Sequence, residues 1–148
     1  MSRPAPPTGA EPPGEMLTAE GAVIDLVPLA GEICRRYHGE FPDEDERYGP
    51  AGRAWCLHDN RYLLAWAIQE ARDGTVDLVE QALWLADVLA ARGFPVTRLA
   101  RDLDIAAEVA ALGIEHEALA RAVPLRLAAA AAAVRVTAYA EPAPGESG

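Results

Sequence analysis

The chain has 148 residues, of which about half are apolar (51%) and a quarter charged (24%), with mean hydropathy close to zero. Those values describe one globular domain with a real core and exclude a collagen-like, fully disordered or membrane-embedded chain. Thirteen basic against 23 acidic residues give a formal charge of −10, so the surface repels phosphate backbones and nucleic acid is not an expected partner.

Further classes fall away on residue usage. Cys34 and Cys56 are too few for a disulfide framework or a four-thiolate zinc site. No segment reaches the ~18 uninterrupted apolar residues of a membrane span, and the alanine run from Leu127 to Val134 is bounded by Arg126 and Arg135. Residues 1–15 are proline-rich and acidic rather than basic and apolar, unlike a secretory signal, so a cytoplasmic location is expected. Lysine is absent and alanine abundant, a bias of GC-rich bacterial genomes.

In chain order, residues 1–15 carry Pro4, Pro6, Pro7, Pro12 and Pro13 with little to bury and read as a disordered arm; residues 141–148 read as a disordered tail. Between them, residues 16–140 show helical periodicity and no strand alternation flanked by hairpin turns. The stretch Gly21 to Leu29 is ambiguous. Ala19, Val23, Leu26, Ala30, Ile33 and Tyr37 keep one stripe, so a first helix kinked or restarted at Pro28 is predicted. A second begins after Gly49-Pro50-Ala51-Gly52 and stops at Asp73-Gly74; a third is capped by Thr75 and ends at Gly93. A fourth runs from Pro95 to Gly113, and a fifth from about Glu115, interrupted at Pro124, to about Tyr139. Short connections between amphipathic helices predict an all-α, antiparallel bundle of about five helices.

One helix face holds the candidate chemistry. At 100° per residue, Leu57, Leu64, Ile68 and Ala71 form an aliphatic stripe, while Trp55, His58, Asp59, Tyr62, Trp66, Gln69 and Glu70 lie opposite. Surface helices turn solvated charge outward, not two tryptophans. Trp55, His58, Asp59, Tyr62 and Trp66 are therefore either a second core layer, a ligand pocket or an interface. A tetrapyrrole or another cofactor is one conceivable guest, with His58 or His38 as axial ligand, although no Cys-x-x-Cys-His attachment signal occurs.

The order His38…His58-Asp59, with Asp87, Asp102 or Asp104 downstream, resembles the HD-domain metal phosphohydrolases. That family is all-helical, binds divalent metal through such residues and hydrolyses phosphate esters. The resemblance covers only these positions. In the family the dyad stands at a helix end before a glycine turn, whereas Asn60-Arg61-Tyr62-Leu63-Leu64 continue the helix here and splay the two side chains about 100° apart.

Other motifs fail. Neither His-Glu-x-x-His nor Glu-x-x-His occurs, and the glycines form neither a phosphate-binding loop nor a dinucleotide fingerprint. Ser2 and Ser147 are the only serines, both in the tails, and Cys56 and His58 point apart on one helix. Asp43-Glu44-Asp45-Glu46 reads as a solvated acidic first turn that favours the helix dipole. In the third helix, Leu78, Ala82, Leu85 and Leu89 make a core stripe, while Trp84 points away among Glu80 and Asp87. A tryptophan so framed either anchors a partner or is covered by another helix of the bundle. The small residues Ala128 to Ala133 allow close helix approach, within the chain or at a dimer seam.

The leading expectation is a non-catalytic protein-interaction or regulatory module, using Trp84, Glu80 and Asp87 on a protein partner or on a second copy. The alternatives are a small-ligand or cofactor-binding bundle built on Trp55, His58, Asp59, Tyr62 and Trp66, and a metal-dependent phosphohydrolase using His38, His58 and Asp59.

Overall fold

The computed structural model describes residues 11–140, the side chains of residues 139 and 140 excepted; the expected arm over residues 1–10 and the tail over 141–148 lie outside the described residues. The elements, in order, are β1 (Glu15–Leu17), β2 (Val23–Asp25), α1 (Leu26–Glu40), α2 (Asp43–Asp73), α3 (Leu78–Ala91), α4 (Val96–Gly113) and α5 (Glu117–Ala140). The five helices form the expected all-α bundle. α1 packs on α2 and α4, α4 packs along α5, and α5 also meets α2 and α3. No described helix is long and apolar enough to cross a membrane.

The start of the domain differs from the helix expected there. β1 and β2 form an antiparallel hairpin with Met16 opposite Ile24. Thr18 closes its turn, its N–H donating to the Ala22 carbonyl at 2.8 Å and its hydroxyl accepting from the Ala22 N–H at 3.0 Å. The β-branched pair Val23-Ile24 suits the extended state, and Ile24 is buried. Helix α1 begins only at Leu26, capped by the Asp25 carboxylate, which accepts from the Val27 N–H at 3.1 Å. Pro28 is then the third helical residue, where the missing N–H has no intrahelical acceptor to lose, so it produces no kink. Residues 11–15, expected to be part of the arm, are held down: Arg61 donates to the carbonyls of Pro12 (2.7 Å) and Pro13 (3.2 Å), and Arg72 to that of Leu17 (2.8 Å).

The remaining boundaries follow the breakers. α2 ends at the expected Gly74 cap, and α4 at Gly113. The cap of α3 is Asp77, two residues beyond the expected Thr75: its carboxylate accepts from the Glu80 N–H at 3.0 Å. Thr75 instead bonds Asp73 and Gln69. α5 continues through Pro124 without interruption. Its packing outweighs one missing hydrogen bond, since Val123, Leu127, Ala130, Ala131 and Val134 are all fully buried. In α2 the buried stripe is Leu63, Leu64, Ala67 and Ile68; Leu57, expected in that stripe, is 40% exposed.

α2 is not one straight rod. Gly49, at φ +62° and ψ −152°, interrupts it and separates a short segment, residues 43–48, from the long helix that follows. That backbone region is essentially closed to side chains with a Cβ. The kink folds Glu44 and Tyr48 back over the main helix. Gly52 permits the overlap, because a Cβ there would stand 2.6 Å from the Tyr48 Cβ. Gly49→Ala is expected to lower stability by about 1–3 kcal/mol, measurable as a reduced urea midpoint, with helicity by circular dichroism retained.

Candidate functional site

The kink, the second half of α3, the loop after it and the start of α4 enclose a cavity of about 360 Å³. Its walls are aromatic and aliphatic: Tyr48 and Trp55 from α2, Trp84 and Leu85 from α3, and Phe94 ahead of α4. Polar groups sit among them. Asn60 and Asp102 line it from α2 and α4, Glu44, Asp59 and Cys56 from α2, Arg98 from α4 and Arg92 from the loop.

Two networks fix those polar groups. In the first, Glu44 is buried although its three acidic neighbours in the first turn of α2 are exposed. It accepts from the Tyr37 hydroxyl at 2.5 Å and from Arg98 at 2.9 Å, while Arg98 also meets Asp43 at 3.0 Å. The carboxylates hold Arg98 firmly as a guanidinium, and burial with the Glu44 contact keeps Tyr37 a neutral phenol. Only part of the acidic run therefore behaves as the expected solvated first turn.

The second network is deeper. The Asn60 amide, 2% exposed, donates to Asp102 Oδ1 at 3.0 Å and to the Cys56 carbonyl at 3.0 Å, and touches the Cys56 sulfur at 3.5 Å. Its own oxygen is buried without a partner. Asp102 is 6% exposed, and among the described residues no cation pairs with it. Burial pushes its carboxyl up to about 7, against the Asn60 hydrogen bond, and the neighbouring Asp59 and Glu44 push the same way. The Cys56 thiol is driven upward by Cys34, burial and Asp102, so its nucleophilic form is disfavoured.

The structure divides the aromatic face of α2. Trp55 and Asp59 line the cavity. His58, Tyr62 and Trp66 do not; with Trp55 they form a ladder of rings along the helix, with successive centroids 5.2, 5.3 and 5.5 Å apart. His58 Nδ1 is 3.2 Å from Asp59 Oδ1, and Asp59 is raised by burial against that contact and the charge of Arg92. Arg92 stacks its guanidinium 5.5 Å from the Trp55 ring centre. Trp84 lines the same cavity as Trp55, while its flanking acids Glu80 and Asp87 are exposed. Two features that are separate in the sequence thus share one enclosure.

Metal and tetrapyrrole chemistry find little purchase. Among the described residues no three His, Cys, Asp or Glu side chains group as metal ligands, so His38, His58 and Asp59 do not form the set the HD resemblance implies. No histidine lines the cavity, which leaves a tetrapyrrole there without an axial imidazole; both ring nitrogens of His38 are buried without partners elsewhere on α1.

Glu44, Asn60, Arg98 and Phe94 were not among the candidates, and Asp102 was considered only as a metal ligand. A signal existed for two of them. Asn60 stands one turn before Leu63 and Leu64, and Asp102 adjoins the buried Leu99, Leu103 and Ala106, so each is a polar residue at a core position of its helix.

Between about pH 4 and pH 7 the folded protein keeps the Asp102 proton that the unfolded chain releases. Asp102 therefore adds most stability in acid, and its contribution falls as pH rises through that window, levelling above 7. Asp102→Asn keeps an acceptor for Asn60 and is expected to lack this dependence. Urea unfolding of both proteins between about pH 5 and pH 8 should show their difference changing by up to about 1.4 kcal/mol per pH unit, with the wild type losing ground toward alkaline pH. No family model, curated protein or solved structure matches the chain.

Proposed function

We propose that the protein is a non-catalytic binding module that holds a small, largely apolar molecule in the cavity between α2, α3 and α4. One observation carries the reading: a partly open cavity of about 360 Å³ with Tyr48, Trp55, Trp84 and Phe94 in its walls and a few fixed polar groups, Asn60 and Asp102 among them. Small-molecule sites have this size and this mixture, apolar surface for affinity and few convergent polar groups for orientation.

The proposal keeps the non-catalytic character expected of an acidic helical bundle and moves recognition from an outer surface to an inner one. Trp84, the residue on which a partner-binding surface rested, serves the cavity instead. Binding without reaction also suits the chemistry available, since the one thiol on the wall is held in its unreactive form.

Filling the space tests the reading. Val88 lines the cavity from α3, and Val88→Trp places an indole inside it. Phenethyl alcohol is expected to shift the tryptophan fluorescence of the wild type and to give saturation-transfer NMR signals. The filled variant, folded by circular dichroism, should bind about tenfold more weakly or worse. Equal binding by the two proteins, or no binding by the wild type of either the alcohol or its amine analogue, overturns the proposal.

A further inference from the structure

Resting on the cavity reading above, the geometry points to an organic amine as the ligand: we propose that its ammonium group sits on the Asp102 carboxylate, with its apolar body between Trp55, Trp84, Tyr48 and Phe94.

Asn60 spends its amide N–H groups on Asp102 and the Cys56 carbonyl, which leaves its oxygen buried and unpartnered. Asp102 has Asn60 as its protein hydrogen-bond donor and no cation beside it among the described residues. Both residues line the same cavity. The Asn60 oxygen is closed off from the cavity, so the acceptor left on its wall is the Asp102 oxygen that Asn60 does not engage; an ammonium offers it N–H donors and a charge, and has no acceptor to repel it. A buried carboxylate without a counter-charge is destabilising, and a ligand that supplies the charge is held through it.

Charge in the cavity points the same way. Three carboxyls, Glu44, Asp59 and Asp102, face it against two guanidinium groups. Arg98 is engaged by Glu44 and Asp43, and Arg92 lies over Trp55. A ligand anion would meet Asp102 with no free cation to hold it. The aromatic wall is suited to a cation as well, since ring faces attract ammonium groups, and Trp55 already carries one guanidinium.

Binding of an amine should depend on pH through Asp102. Its ionisation is opposed by burial, by Asp59 and Glu44, and it faces the neutral Tyr37 of α1 and the Cys56 thiol of α2, with Arg98 on its own helix and Arg92 in the preceding loop. Amine binding therefore weakens as pH falls and Asp102 takes a proton, while binding of a neutral molecule of the same shape does not.

Three probes of nearly equal size separate the possibilities by calorimetry on the full chain: phenethylamine, phenethyl alcohol and hydrocinnamate. Phenethylamine is expected to bind at about pH 8 at least about tenfold more tightly than the alcohol, with hydrocinnamate weakest. Lowering the pH to about 5.5 should remove most of the amine's advantage in the wild type, and Asp102→Asn should remove it at both pH values. If the alcohol binds and the amine gains nothing over it, the amine inference fails and the cavity reading stands. If an amine advantage survives both acid and Asp102→Asn, the anchor is not Asp102 and the inference fails likewise. If none of the three binds, both readings fall.

Discussion

A nearly buried carboxyl on the cavity wall, with a single amide as its hydrogen-bond donor, sets the terms for this end of α2 and α4. Asn60 and Asp102 join the two helices that enclose the cavity, across 42 residues of sequence. A buried acid in such surroundings is tolerable while it is neutral and destabilising once it ionises, so the site is most comfortable with either a proton or a cation on Asp102.

The second determinant is the backbone break at Gly49. Without it α2 would run straight and carry Glu44 and Tyr48 away from α4. With it, a six-residue segment folds over the cavity and is held from two sides, by Tyr37 of α1 and Arg98 of α4, through the one carboxylate of Glu44. Electrostatics and backbone conformation are therefore coupled here. An acidic run that would ordinarily be surface decoration contributes one member to the interior because the chain turns back on itself.

Much of the architecture was legible in the sequence, and the reasons for the misses are physical. Gly74 and Gly113 punctuate helices that carry strong apolar stripes, so the bundle and most boundaries could be read directly. Val23 and Ile24 satisfy a helical stripe and a strand equally well; long-range carbonyl acceptors and Thr18 decide for the hairpin, and no local rule contains them. Pro124 breaks a helix in isolation but not one whose next ten residues are half buried. At the site, Trp55 and Asp59 were found because they disturb an amphipathic pattern. His58, Tyr62 and Trp66 share that pattern but not the cavity: Tyr62 and Trp66 lie on the same side of the helix as Trp55 but two to three turns farther along it, His58 lies at the edge of that face, and the rings meet one another in edge-on and tilted pairs. Trp84 was noticed for the same irregularity but placed outward, since its neighbours Glu80 and Asp87 are exposed and the facing helix could not be seen. The joining of Trp84 to Trp55 and of Asn60 to Asp102 is tertiary, and periodicity within one helix carries no information about it.

The carbonyls gripped by Arg61 have a bearing on where this folding unit can be cut. A hairpin of two three-residue strands has no independent stability, and here it is held by α2 through Arg61 and Arg72 and by α1 through the Leu26 N–H, which donates to the Gly14 carbonyl. Removing residues 11–25 would return three sets of donors to water and take the buried Ile24 out of the core. A fragment trimmed to the first helix would thus keep all five helices on paper while losing the strap that closes one end of their core. For an expression fragment, the working boundary of the domain lies at or before Glu11.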